Sequence, residues 1–205
     1  MRYGVNTVYM PVPTRDRLLD AARDLYLEKG LAGFSLRAVA REVGITAPGV
    51  YRHFANRDAL LIALLEEGYR RFVSCLAPAE AADTPEQRME AAGEAYLQFA
   101  VEQPGYYTLM FSSRPMLEAG DLPDQLAARM QDSFGVLQAR VDECMASGWQ
   151  IAPGGDPKQI ARSIWALSHG LVSLYLAGHW GDDLERFRRE YRNAHELRRN
   201  GYRNA

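Results

Sequence analysis

Apolar residues recur every three or four positions along nearly the whole chain, which is the spacing of one face of an α-helix. No segment shows the strict apolar and polar alternation of a half-buried strand, and no turn motif joins two strand-like segments. The pattern therefore predicts an all-α fold, with helices at 14–29, 36–43, 46–53, 56–77, 84–103, 104–112, 123–147, 156–178 and 182–198.

Glycines and short polar residues mark where the first helices begin and end. Gly30 ends the first helix, because glycine adopts the left-handed backbone that follows many helix C-termini. Ser35 and Thr46 precede the second and third helices as N-caps, since their hydroxyls accept hydrogen bonds from free backbone N–H groups. Asn56 has the same role for the fourth helix, and Gly44 supplies a tight turn between the second and third.

The second and third predicted helices have the features of a helix-turn-helix. Ala40 is small enough to let them cross closely, and Ile45 and Val50 point inward and fix the angle between them. The exposed front of the third helix then carries small residues, so its backbone can approach base edges in a major groove. These residues are Thr46, Ala47, Pro48 and Gly49.

The run 35–54, which reads SLRAVAREVGITAPGVYRHF, closely resembles the DNA-binding segment of the TetR/AcrR family, as does NRDAL at 56–60. The resemblance implies an N-terminal helix-turn-helix DNA-binding domain of three helices, over residues 1–56. It implies a C-terminal ligand-binding and dimerisation domain over 57–205, with the fourth helix connecting the two and about nine helices in all. It also implies repression that a small ligand relieves.

Carried over by position, the resemblance assigns DNA contacts to individual residues. Arg37 would reach a base edge or a phosphate from the second helix, and the groove would face Ala47, Pro48, Gly49 and Arg52. The DNA backbone would be held by Tyr51, His53 and Arg57. Near the groove, only Arg37 and Arg52 have side chains that can bind guanine bidentately. With so few base contacts, we expect much of the specificity for the DNA sequence to come from two half-sites and from DNA shape.

Charge is divided unevenly along the chain, although the net charge is only −2. Residues 1–72 hold 11 Arg or Lys against 8 Asp or Glu, whereas residues 73–181 hold 6 against 13 and the tail from 182 holds 7 against 5. A basic N-terminal part joined to an acidic body suits a small DNA-binding module with a separate regulatory part.

The helix at 156–178 is apolar over a wide arc, which predicts burial on two sides, one of them against a partner subunit. We expect it to form a four-helix bundle in a homodimer together with the helix at 182–198 and their mates. One DNA-binding head per chain then implies a palindromic or near-palindromic operator. The predicted interface residues are Ile164, Leu167, Leu171, Leu174, Leu184 and Phe187.

Aromatic and methionine residues cluster at 104–117, and they predict either a flexible apolar ligand pocket or ordinary core. The candidate ligand residues there are Tyr106, Tyr107, Met110, Phe111 and Met116. The segment 165–171 (WALSHGL) resembles one group of TetR C-terminal domains. This resemblance makes Trp165 and His169 further candidate ligand residues, although packing in the core is slightly favoured for both. Few charges lie near the cluster, Arg114 and Glu118 being the nearest downstream, so the expected effector is lipophilic.

The remaining chemistry is sparse. No catalytic constellation, phosphate loop or metal-ligand spacing occurs, so we expect neither enzymatic activity nor a cofactor. Cys75 and Cys144 lie in apolar helical patterns, which favours reduced, buried thiols over a redox switch. The segment 1–13 lacks the features of a secretion signal, and no apolar run approaches the ~20 residues of a membrane span, so a soluble cytoplasmic protein is expected.

Two other classes of function remain open at this point. One is a regulator of the same kind that activates transcription, or that responds to a partner protein instead of a small molecule. The other is a small helical enzyme or carrier whose N-terminal part only resembles a DNA-binding domain. The missing catalytic constellation counts against the second of these.

Overall fold

The computed structural model describes residues 14–111, 122–148 and 156–203. The described part is helical throughout and contains no strand, as the apolar spacing predicts. Its α-helices are α1 Thr14–Gly33, α2 Leu36–Val43, α3 Ala47–Tyr51, α4 Arg57–Leu76, α5 Pro85–Glu102, α6 Pro104–Phe111, α7 Asp124–Ala146, α8 Pro157–Leu176 and α9 Leu184–Arg203. A short 3₁₀ helix, Ala77–Ala81, lies between α4 and α5, where the sequence predicts a linker.

The helices form two compact units, and the boundary between them falls inside α4, between Leu64 and Leu65. In the first unit α2 packs against both α1 and α3. The first part of α4 belongs to this unit because Leu60, Leu61 and Leu64 bury their side chains completely. The second unit, from Leu65 onward, contains the rest of α4 and the helices α5 to α9.

Local signals in the sequence locate several helix ends. The hydroxyl of Ser35 accepts a hydrogen bond from the backbone N–H of Ala38 at 3.2 Å, and Asn56 Oδ1 accepts one from Ala59 N–H at 2.8 Å. Gly30, with φ of 61°, interrupts the helical backbone as predicted, although the chain adds one more turn before α1 ends. Two details differ: the Thr46 side chain makes no capping hydrogen bond, and α3 ends at Tyr51 instead of His53.

The second unit has an apolar core between α5, α7 and α8, which contains Met89, Val141, Cys144, Ile160, Ala161 and Ile164. An ion-pair network covers one end of this core. The buried Arg140 guanidinium lies 2.9 Å from carboxylate oxygens of both Glu80 and Glu143, and Arg88 pairs with Glu143 at 3.1 Å. The network ties the 3₁₀ helix and α5 to α7.

Both cysteines are free thiols. Cys144 is buried in the core, and this burial raises the pKa of its thiol to about 11. Cys75 is half-buried and donates a hydrogen bond to the backbone carbonyl of Ala95 at 3.4 Å. A thiol with a raised pKa is mostly protonated at neutral pH and therefore a poor nucleophile.

None of the helices in the described part of the chain combines the length and the hydropathy that a membrane span requires.

Candidate nucleic-acid interface and ligand cavity

The helix-turn-helix of the first unit is built by a left-handed glycine between two short helices. Gly44 has φ of 74°, and its N–H bonds to the carbonyls of Ala40 and Arg41 at the end of α2. The chain then reaches α3 within three residues, with Pro48 in the first turn of α3, where its missing N–H has no intrahelical acceptor to lose. The turn therefore fixes the direction in which α3 leaves α2.

The segment around the end of α3 separates core residues from exposed ones. Val50 and Phe54 are buried, and the N–H groups of His53 and Phe54 both bond to the Val50 carbonyl, at 2.9 and 3.0 Å. Tyr51, Arg52 and His53, which lie between them in the sequence, are exposed. A hydroxyl, a guanidinium and an imidazole thus stand side by side on a fixed backbone, and such groups can hydrogen-bond phosphates or base edges.

The other predicted DNA contacts differ in exposure. Arg37, Thr46 and Pro48 are exposed, whereas Ala47 and Gly49 are half-buried. Arg57 is half-buried in the first turn of α4 beside Asp58, with Arg57 Nε 3.8 Å from Asp58 Oδ1. The sequence pattern therefore brings a set of polar and small side chains to the surface of this unit, with Arg57 the most enclosed of the charged ones.

Two arginines of α1 support this unit, and the sequence analysis does not identify either of them. Arg17 donates a hydrogen bond from Nη2 to the carbonyl of Val43 at 3.1 Å, so it satisfies the C-terminal end of α2. Arg15 lies over the ring of Phe54, 5.7 Å from its centre. Neither contact has a local sequence signal, because each joins residues more than twenty positions apart.

The second unit contains a cavity of about 900 Å³. Its wall is largely apolar and aromatic, with side chains from α4, α5, α6, α7 and α8: Phe72, Met89, Met110, Phe111, Phe134 and Trp165. The aromatic rings contact one another across helix boundaries, since Trp165 lies 6.4 Å from Phe111 and 6.3 Å from Phe134 between ring centres. A cavity of this size and lining can enclose a drug-sized molecule.

A hydrogen-bonded cluster of neutral groups forms one part of the wall. The hydroxyl of Tyr107 lies 2.8 Å from Nδ1 of His169, and the hydroxyl of Tyr96 lies 3.1 Å from that of Tyr107. Burial raises the pKa values of both tyrosines and lowers the pKa of His169. A neutral imidazole has one proton, so its two nitrogens provide one donor and one acceptor, and the tautomer decides which of the two faces the Tyr107 hydroxyl.

A second polar pair lies between α8 and α9. The hydroxyl of Ser168 lies 3.1 Å from Nε2 of His195, and Tyr191, whose ring packs on His195, donates a hydrogen bond to the Gly93 carbonyl at 3.2 Å. Burial, together with the nearby Arg198, lowers the pKa of His195 to about 4. These groups all line the cavity, so they give an apolar enclosure a few fixed polar positions.

Four of the predicted ligand residues lie on the cavity wall, namely Met110, Phe111, Trp165 and His169. Tyr106 and Tyr107 are fully buried beside it, and Tyr107 reaches the wall only through its hydrogen bond to His169. Met116 lies outside the described residues. The sequence analysis misses the wall residues of α4, α5, α7 and α9, because an apolar stripe on a helix looks the same whether it faces core or cavity.

The expectation of few charges near the ligand cluster is wrong. Five cationic side chains and four carboxylates line the cavity, from α5, α8 and α9. They are Lys158, Arg162, Arg192, Arg198 and Arg199 with Glu86, Glu90, Glu94 and Glu196. The cluster at 104–117 has few charged neighbours in sequence, but tertiary folding brings charged residues from distant helices to the same cavity.

Two of the predicted interface residues are buried within the protomer, which corrects their assignment. Ile164 belongs to the core, and Phe187 is fully enclosed, with its ring stacked on Tyr175 at 4.4 Å between centres. A side chain without accessible surface has nothing to offer a partner subunit. The other four retain surface: Leu167, Leu171 and Leu184 are half-buried, and Leu174 is 45% exposed.

An exposed helix-turn-helix and a helical unit with a cavity are the features of a bacterial transcriptional regulator. A family model described as tetracyclin repressor-like, C-terminal domain, matches residues 89–192, and one described as bacterial regulatory proteins, tetR family, matches residues 18–64. The chain therefore belongs to the TetR family of DNA-binding transcriptional regulators.

Proteins similar to this chain include transcriptional regulators and a protein of unknown function. The HTH-type transcriptional regulator Rv1816 of Mycobacterium tuberculosis is 26% identical in an alignment of 194 residues that covers 82% of each chain. A solved structure of a protein of unknown function from Rhodococcus sp. RHA1 is 29% identical, covers 96% of this chain and 98% of its own, and superposes with a TM-score of 0.75. The HTH-type transcriptional activator FasR of Mycolicibacterium smegmatis is 29% identical over 100 residues, which is 48% of this chain.

Proposed function

We propose that the protein is a ligand-responsive repressor, which binds a palindromic or near-palindromic operator as a cytoplasmic homodimer and leaves the DNA when a mostly apolar small molecule enters its cavity. The observation that carries this proposal is the cavity of about 900 Å³ in the second unit, lined by aromatic and methionine side chains. A regulator that only bound its operator would not need such a cavity, because an unfilled cavity loses packing contacts and so lowers stability.

The DNA-binding part of the proposal assigns different roles to the exposed side chains of the first unit. Tyr51 and His53 would hold phosphates, because their hydroxyl and imidazole groups are exposed at and just after the end of α3. Arg37 and Arg52 would select bases, since a guanidinium can bind guanine bidentately. Thr46, Ala47, Pro48 and Gly49 would let α3 approach the base edges, and Arg57 would contact the backbone from the start of α4.

The proposed dimer rests on an apolar face of α8 and α9 that has no partner in the described part of the protomer. Leu174 is 45% exposed and Leu197 is 73% exposed, and the half-buried Leu167 and Leu171 lie on the same helix as Leu174. Burying this face against its symmetric mate would form a four-helix bundle and remove apolar surface from water, at about 25 cal/mol per Å².

The proposed release of DNA depends on the packing of α6 against α4. Met110 and Phe111 of α6 line the cavity, and α6 packs on α4 where Gly68 leaves no space for a side chain. A ligand that moves α6 would therefore shift α4, which continues into the DNA-binding unit. The ligand can change the balance between binding and non-binding shapes only by its difference in affinity for them, about 1.4 kcal/mol for each tenfold change.

A second candidate is an activator with the same DNA-binding and ligand-binding parts. One relative, FasR, is named as a transcriptional activator and is 29% identical over 100 residues. Whether bound protein blocks or recruits polymerase depends on where the operator lies relative to the promoter, which the protein's own structure does not determine. A reporter gene behind the selected operator, with and without the protein, separates the two by the direction of the change.

The proposal is tested by selecting bound sites from random DNA and then screening lipophilic compounds by thermal shift and DNA release. Two variants at Gly93 make the test specific for the cavity. This residue lines the cavity, and a Cβ there would have Tyr191 atoms at 3.8 and 4.0 Å as its nearest neighbours, an ordinary contact distance. Gly93→Ala should therefore keep the response, whereas Gly93→Phe should fill space and abolish release while leaving DNA binding intact.

Two results would contradict the proposal. If the folded protein enriches no DNA sequence, the DNA-binding assignment loses its basis. If compounds release the DNA equally from Gly93→Phe and Gly93→Ala, the effector acts at a place other than this cavity.

A further inference from the structure

We propose that the effector is an anionic amphiphile, whose carboxylate, sulfonate or phosphate group binds Lys158 and Arg162 while its apolar part lies along Phe111, Phe134 and Trp165. This inference rests on the proposed ligand function of the cavity and narrows the chemical class of the ligand. The mostly apolar effector that the sequence suggests is thereby narrowed to one that also carries an anionic group.

The first observation is a graded face along α8. Lys158, Arg162, Trp165 and His169 all line the cavity, and their spacing of four, three and four residues places them on one side of the helix. The face therefore changes from cationic, through aromatic, to a neutral imidazole over eleven residues, or roughly 16 Å of helix. Of the side chains that α8 contributes to the wall, the charged ones therefore lie at one end only.

The second observation is how the other charges of the wall are paired. Arg199 Nη1 lies 3.0 Å from Glu90 Oε1. Glu94 is shared by two arginines, with Arg192 Nε 2.6 Å from Oε1 and Arg188 Nη1 3.2 Å from Oε2. In contrast, neither Lys158 nor Arg162 has an ion-pair partner among the residues that the structure describes. Both are exposed, so their charge is available to a ligand.

Two carboxylates near this end, those of Glu196 and Asp156, are possible competitors for the two cations. Glu196 lines the cavity, but α9 runs antiparallel to α8, as shown by the Ser168–His195 contact and the stacking of Tyr175 on Phe187. This register places Glu196 level with residue 167, roughly 7 Å of helix rise from Arg162. Asp156 is closer, but its carboxylate accepts a hydrogen bond from the Lys158 backbone N–H at 3.1 Å as the N-cap of α8.

The far end of the α8 face carries a neutral side chain. His169 is neutral, because burial lowers the pKa of its imidazole, and it is bonded to the hydroxyl of Tyr107. On α8 this end of the face is therefore uncharged. A cationic ligand would be repelled by Lys158 and Arg162 at the other end, where an anionic group would be attracted.

The test uses two fluorescent probes of nearly the same shape, anilinonaphthalene sulfonate and the uncharged phenylnaphthylamine. Wild-type protein should bind the sulfonate more tightly, and added salt should weaken only that binding. Lys158→Gln with Arg162→Gln should reduce the sulfonate affinity about tenfold, from two solvent-exposed ionic contacts, and leave the uncharged probe unchanged. Arg186→Gln with Arg189→Gln, which removes two exposed charges of α9 outside the cavity wall, should change neither affinity.

Gly93→Phe identifies where the probes bind, because it should displace both of them if they occupy the cavity. The inference would be overturned if wild-type protein bound the two probes equally tightly, or if loss of Lys158 and Arg162 did not reduce the affinity for the sulfonate. In either case the cavity would still be a ligand site for neutral compounds. Sulfonate binding that Gly93→Phe does not affect would overturn it as well. Failure of both probes and of every screened compound to bind would instead contradict the proposed ligand function itself.

Discussion

Gly68 lies at a point where α4 and α6 pack together without room for a side chain, and replacing it by alanine tests that packing. A Cβ at this position would lie 2.8 Å from Met110 Sδ, 3.1 Å from Met110 Cγ and 3.2 Å from Tyr106 Cδ1. Tyr106 is fully buried and Met110 is only 6% exposed, so neither can move aside freely. We therefore expect Gly68→Ala to destabilise the protein.

The magnitude follows from two opposing effects. Overpacking a core by one methyl group costs about 1–3 kcal/mol, whereas alanine is favoured over glycine within a helix by about 1 kcal/mol. The free energy of unfolding should therefore fall by up to about 2 kcal/mol in Gly68→Ala. Gly135 of α7 provides the matched control, because it is exposed and a Cβ there meets nothing within 4 Å. Gly135→Ala should gain up to about 1 kcal/mol from helix propensity alone.

Urea unfolding followed by circular dichroism measures both changes, at one fixed protein concentration so that subunit association does not alter the comparison. Met110→Ala removes the closest atoms, so Gly68→Ala should become neutral or stabilising in that background. The double-mutant cycle should then give a coupling of about 1 kcal/mol or more.

A stability gain in Gly68→Ala equal to that in Gly135→Ala would refute the argument. It would mean that α4 and α6 separate easily at this point, and that movement of α6 need not be transmitted to α4. A coupling near zero with Met110→Ala would show that the cost, if any, comes from Tyr106 or from the backbone.

Three further predictions concern DNA binding, assembly and pH. Tyr51→Ala should weaken binding to all DNA sequences about equally, whereas Arg52→Ala should relax the preference at particular bases at a cost of ~1–3 kcal/mol, as binding-site selection with each variant would show. Leu174 is 45% exposed in the protomer, so Leu174→Glu should leave the protomer folded but bury an unpaired charge in the proposed interface. Sedimentation should therefore detect a folded monomer, whereas an intact dimer would exclude this face as the interface. His195 has a pKa of about 4 in the folded protein and about 6.5 in the unfolded chain, so protonation between pH 7 and pH 5 favours the unfolded chain. The free energy of unfolding should therefore fall by about 2 kcal/mol over this pH range. His195→Asn should remove this contribution to the pH dependence of stability.

The helix-turn-helix could be located from the sequence because its determinants are local. Ser35 and Asn56 each bond to a backbone N–H three residues ahead, and Gly44 adopts its left-handed conformation between adjacent helices. Such short-range interactions leave a pattern of residue types at fixed spacing, which the chain displays directly. The absence of a capping bond from Thr46 shows the limit, since residue type permits this contact without enforcing it.

The cavity could not be located in the same way. The cluster of Tyr96, Tyr107 and His169 joins three helices and residues up to 73 positions apart, so no sequence window contains it. The apolar stripe of α8 predicts burial, but it does not distinguish Ile164, which packs in the core of its own protomer, from Leu174, which stays exposed. The same ambiguity led to the assignment of Phe187 to the interface.

The sequence by itself therefore determined the helical fold, the order of the helices and the DNA-binding motif, because these depend on periodicity and on contacts within a few residues. Only the tertiary structure decided which apolar faces meet each other, which enclose a cavity, and which charges reach its wall. Lys158 and Arg162 show this most clearly, since nothing in their own segment links them to Phe111 on α6. Their common position follows from helix packing, which brings together residues that have no relation along the chain.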